Sequence, residues 1–169
     1  MIEAGRRFRS PTMEIEFLVT SGESGGKLHE MRATYRPGSP FPPAHLHPEQ
    51  EETFQVESGR LEFELDDGIR RVAEGETLVL SAGTVHRARN PSSDTDAVVL
   101  WQTRPALRSG EFFATVYSLA NPTLLDRALL AQQFRREFRP VMRPALLARL
   151  AVPGLALVAR LTGRRLPEV

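Results

Sequence analysis

Between Met13 and Thr103 the chain is cut every few residues by Gly, Pro, Asp or Asn, and the stretches left between the cuts alternate apolar with polar side chains. Runs this short cannot present a helical stripe to a core, whereas a period of two suits a half-buried strand. The runs are Met13 to Thr20, Leu28 to Tyr35, Ala44 to His47, Thr53 to Ser58, Leu61 to Leu65, Ile69 to Ala73, Thr77 to Leu80, His86 to Asn90 and Ala97 to Thr103. Many short strands with regular turn signals imply a β-barrel or sandwich. Asp66-Asp67-Gly68, between two of the clearest runs, marks a hairpin.

That alternation assigns faces to the residues with chemistry. His45 and His47 stand two apart, so one strand directs both to the same side. In the run from Glu51 to Glu57, residues 51, 53, 55 and 57 share one face; Glu52 shares the other with Phe54 and Val56. Glu52 is therefore the inward carboxylate. The same parity turns His86 and Ala88 inward and Arg87 and Arg89 to solvent. A buried carboxylate among apolar side chains costs several kcal/mol unless something compensates it, about 2–7 even for a neutral polar group. A cation held by His45, His47, Glu52 and His86 removes that cost. Imidazole with carboxylate suits one divalent transition metal, Fe, Mn, Ni, Cu or Zn, rather than Mg or Ca. His29, which precedes Glu30, reads as a solvated strand residue.

These residues resemble the two motifs of the cupins. The first is Gly38, His45-x-His47, four residues, Glu52, six residues and Gly59, with one extra residue between Gly38 and His45. The second is Gly75, Ser81-x-Gly83, His86 and Asn90, with Ser81 where the motif usually has proline. With the flanking strands the likeness runs from about residue 12 to residue 103. It implies a mainly β fold, a cupin-type double-stranded β-helix (jelly-roll) barrel, over residues 1–105, and leaves residues 106–169 as a helical C-terminal extension. It also implies a homodimer formed through an edge strand.

After Pro105 the apolar period becomes helical. Phe112, Phe113, Val116 and Leu119 follow Ser109, an expected N-cap, and a second amphipathic helix is expected from Pro122 to about Arg139. Pro140, Pro144 and Pro153 then predict two shorter helices. The charge changes in the same place: residues 1–120 carry 13 basic and 18 acidic side chains, residues 121–169 carry 9 and 3. The basic tail, with Arg135, Arg136, Arg139, Arg143, Arg149, Arg160, Arg164 and Arg165, is expected to dock on the acidic barrel of its own or a partner subunit. No nucleic acid partner is expected, and peripheral membrane contact through these helices is the less favoured alternative. The absence of cysteine rules out disulfides and thiolate metal sites. With no secretory leader or long apolar span, a cytoplasmic location is the expectation.

Three histidines and one glutamate leave two positions of an octahedral ion open, enough for substrate and O₂ side by side. Within the cupins this implies a metal-dependent, quercetinase-like dioxygenase acting on a small, aromatic or otherwise apolar molecule, with Glu52 as both ligand and catalytic proton acceptor. The alternatives are a non-catalytic metal- or ligand-binding cupin and a cupin isomerase; no second acid–base pair accompanies the motifs. Met31, Phe41, Phe54, Phe63, Trp101 and Phe112 are the candidate pocket walls.

Overall fold

The computed structural model describes residues 2–141 and 145–169. In chain order they form β1 (Arg7–Arg9), β2 (Met13–Val19), β3 (His29–Tyr35), β4 (His45–Leu46), β5 (Glu51–Ser58), β6 (Arg60–Leu65), β7 (Gly68–Ala73), β8 (Thr77–Leu80), β9 (His86–Arg89), β10 (Ala97–Arg104), α1 (Ser109–Ser118), α2 (Leu124–Gln133), β11 (Arg139–Pro140) and α3 (Ala145–Leu161). The strands make two antiparallel sheets, ordered β1-β2-β3-β10-β5-β8 and β11-β4-β9-β6-β7. Every run expected from the alternation is a strand. β1 and β11 escaped notice because Arg7-Phe8-Arg9 and Arg139-Pro140 are too short to show a period.

Side chains of one parity fill the space between the sheets. β5 alternates outward Glu51, Gln55 and Glu57 with buried Glu52, Phe54 and Val56, as β3 does with His29, Met31, Ala33 and Tyr35. The core joins Ile15, Phe17, Met31, Phe54, Phe63, Val99 and Trp101 to Phe112, Phe113 and Phe134 from beyond the barrel. His29 belongs to this core. Far from solvated, it is wholly buried, edge-on to Phe17 at 4.7 Å and stacked with Phe113 at 6.1 Å.

Gly59 shows how tightly the barrel turns. It follows a register shift in the β5–β10 pairing and takes φ +76°, where a Cβ would stand 2.6 Å from the Asp96 carbonyl oxygen. A left-handed backbone costs an ordinary residue about 1–2 kcal/mol, and the obstructing atoms here are main chain. Gly59→Ala is therefore expected to destabilise by more than that figure, read as a lower denaturation midpoint; an unchanged midpoint would show that the turn is slack.

The helices after Pro105 depart from their expected limits. The N-cap of α1 is Arg108 rather than Ser109, whose hydroxyl instead accepts from Gln50 Nε2 at 2.8 Å. α2 begins with a capping box, Thr123 and Asp126 satisfying each other's backbone N–H. It stops at Gln133, not near Arg139, because the chain turns at Phe134 so that Arg139 and Pro140 can pair with Leu46 and His45 of β4. Pro153 lies inside a single helix, α3, instead of dividing two. Pro144 and Arg143 fall outside the described residues, as does the side chain of Arg149. Arg136 reaches the barrel, its guanidinium on Glu49 at 2.7 Å. Arg164 binds Asp126, and that contact, opposed by burial, holds the Asp126 carboxyl well below its usual range.

Candidate metal centre

The two sheets bring four side chains to one end of the barrel interior. His45 on β4 and His86 on β9 are direct cross-strand partners, so their side chains project together. His47 follows on the same side of the chain as His45, and Glu52 enters from β5 of the opposite sheet. Each imidazole offers a nitrogen within 4.8 Å of those of the other two. Glu52 borders this trio, with carboxylate oxygens 3.0 Å from His86 Nε2 and 3.3 Å from His47 Nε2. All four residues expected from the sequence therefore meet, with His45 the most open to solvent.

Hydrogen bonding fixes how the rings are protonated. His45 Nδ1 lies 2.9 Å from the Pro43 carbonyl, His47 Nδ1 2.6 Å from that of Glu137, and His86 Nδ1 3.0 Å from that of Thr84. A carbonyl oxygen only accepts, so each Nδ1 carries the proton and donates. Each Nε2 is then a lone pair facing inward, the arrangement by which outer hydrogen bonds orient metal-binding imidazoles. His47 Nε2 and Glu52 Oε2 are fully buried and have no hydrogen-bond partner among the described residues. Three nitrogen lone pairs and a carboxylate face one another with no donor among them, and a transition-metal cation is what that set accommodates.

Electrostatics agrees. Burial lowers His45 to about 4, helped by the neighbouring imidazoles, and burial likewise lowers His47, so both imidazoles are neutral at pH 7. Burial works to raise Glu52, but His47, His86 and His45 outweigh it and bring the carboxyl down to about 2. His86, disfavoured by burial, is nevertheless raised by its contact with Glu52.

Of the expected pocket walls, Met31, Phe54, Phe63, Trp101 and Phe112 are buried core. Trp101 is also part of the site, its Nε1–H donating to Glu52 Oε1 at 3.0 Å. Phe41 is not a wall: it lies outside the barrel beneath the guanidinium groups of Arg87 and Arg89. Sequence reasoning missed the cover over the site. Phe138 packs on His45 at 5.0 Å and on Phe112 at 5.1 Å, while its neighbour Glu137 supplies the carbonyl for His47. Both come from a segment some ninety residues downstream, and no local pattern announces such a contact.

Residues 31–103 match the family model described as "Cupin domain". The solved structure of KdgF from Halomonas sp. is similar with a TM-score of 0.52 at 19% identity, covering 62% of this chain and 89% of that one. Ectoine synthase from P. lautus gives 0.54 at 14% identity and covers 82% of each chain. An RmlC-like cupin from Shewanella frigidimarina gives 0.52 at 15%, covering 62% and 87%. At these identities the likeness is one of fold. No curated protein matches the sequence.

Proposed function

We propose, from the premise that this chain carries a cupin domain, that it is a metal-dependent enzyme of dioxygenase type acting on a small, apolar organic molecule. The carrying observation is the set of three inward imidazole lone pairs and one carboxylate with no proton donor between them. His45, His47, His86 and Glu52 would hold the ion, which would supply Lewis acidity. The Nδ1 hydrogen bonds hold the three rings in place, and Phe54, Trp101 and Phe138 exclude water around them. Glu52 Oε2, the oxygen that Trp101 leaves free, is the one suited to take a substrate proton. Residues 1–105 serve as the barrel and 106–169 as the extension that closes it. A homodimer and a cytoplasmic location complete the reading, and sedimentation and cell fractionation test them.

The names of the similar structures span different activities, so the choice rests on the site. Elemental analysis of the purified protein, then oxygen-electrode assays of the Fe, Mn, Ni and Cu forms against phenols, flavonols and diketones, provides the test. Oxygen uptake with at least one class is expected. Tight metal loading without uptake from any of them would instead favour a second reading, a ligand-binding cupin. The Trp101 hydrogen bond gives that reading some support, because it holds Glu52 as a ligand and reduces its basicity.

A further inference from the structure

α3 is built inside out. Its side against α2 presents Ala156 and Ala159, 1% and 0% exposed, which pack with Ala128 and Leu129 in a small second core. Its larger apolar side chains point the other way: Leu150, Leu157 and Leu161 are 69%, 56% and 79% exposed, and Val158 beside them is 48% exposed. Spacings of seven and four residues align the three leucines on one stripe of the helix. A contiguous outward apolar ridge on a helix whose opposite face is satisfied marks an interaction surface.

Charge identifies the occupant. Residues 145–167 contain four arginines and no acidic residue. Arg160 flanks the leucine stripe and Arg164 and Arg165 follow its end; with Arg108 they outnumber Glu111 and Glu168 around a cavity of about 480 Å³ floored by Leu129 and Phe134. Among the described residues, Arg160 and Arg165 have no carboxylate partner. A second copy placed on this face would bring arginines against arginines. Nucleic acid would satisfy the arginines but leave the leucines against a phosphate backbone. An anionic lipid surface answers both, taking leucine into the acyl boundary and guanidinium onto the headgroups. No helix among the described residues is long and apolar enough to cross a membrane, so α3 would lie along the interface.

We propose that α3, with Arg160 and Arg165, docks this protein on an anionic bilayer surface. This inference is independent of the metal centre. The test is co-sedimentation of the full chain with vesicles of phosphatidylcholine containing about 30% phosphatidylglycerol, and with phosphatidylcholine alone. Binding to the anionic vesicles is expected, weakening with salt, and reduced about tenfold or more by Leu157→Glu with Leu161→Glu. Both side chains are exposed, so the double variant should keep the parent's thermal melt. Arg160→Gln should weaken binding to the anionic vesicles alone. Absence of the parent from the anionic pellet, or equal binding by parent and double variant, would overturn the proposal. So would a vesicle-free dimer that the double variant dissolves, which would make a second copy the occupant.

Discussion

A His45→Ala variant is expected to lose metal affinity by more than the roughly 10–100-fold that removing an outer hydrogen-bond partner costs, yet to remain as stable without metal as the parent to within about 1 kcal/mol. His45 is the most exposed of the three imidazoles and the least important to the Glu52 charge, which His47 and His86 compensate first. Its strand pairing with His86 and Pro140 runs through the main chain and survives the substitution. His86→Ala is expected to behave differently. It removes a proposed ligand and also a contact at 3.0 Å that offsets the burial of the Glu52 carboxylate. Breaking a buried pair in this way costs about 3–5 kcal/mol. Metal titration and denaturant melts of the metal-free proteins separate the two effects. Unaltered metal binding by His45→Ala would remove it from the ligand set, and its outright unfolding would mean that the ion, not the core, holds the barrel together.

The four grouped residues were legible because strand parity is local. One residue along β5 decides that Glu52 faces in and Glu51 faces out, and the structure keeps that alternation through the strand. Parity should also have placed His29, which shares its face with Met31, Ala33 and Tyr35; the polar neighbour Glu30, on the opposite face, obscured it. What could not be read is the return of the chain. Arg139 and Pro140 pair with β4 only because α2 ends at Gln133 and the turn at Phe134 anchors in the main core. Helical periodicity up to that point contains nothing about a sheet edge far away in sequence. The cover that Phe138 makes over His45, and the carbonyl that Glu137 gives to His47, therefore arise from tertiary packing. The outward leucines of α3 illustrate the same limit. A helical period shows that one face is apolar, but not that the alanine face is the one the protein buries.

His29 gives the second large effect, as a dependence of stability on pH. Its ring is wholly buried between Phe17 and Phe113, and among the described residues neither nitrogen has a hydrogen-bond partner of good geometry, although an approach to the Val19 backbone offsets a little of the penalty. Burial lowers the imidazole from 6.5 to about 4. The unfolded chain therefore takes up a proton at higher pH than the native one does, and where the unfolded state binds more protons, stability rises with pH. Stability owed to this residue is complete above about pH 6.5, falls as the pH drops toward 4, and changes no further below that. At about 1.36 kcal/mol per pKa unit, the full loss is about 3 kcal/mol. His45 and His47 are lowered in the same sense and add to the slope of the metal-free parent. The measurement is thus the difference between parent and His29→Leu in denaturant melts at pH 7 and at pH 4, both without metal. The leucine variant should lose about 3 kcal/mol less over that interval, whatever its packing costs at neutral pH, because the packing change is the same at both pH values. Equal losses in the two proteins would mean that His29 is already protonated in the fold, or that water reaches its nitrogens.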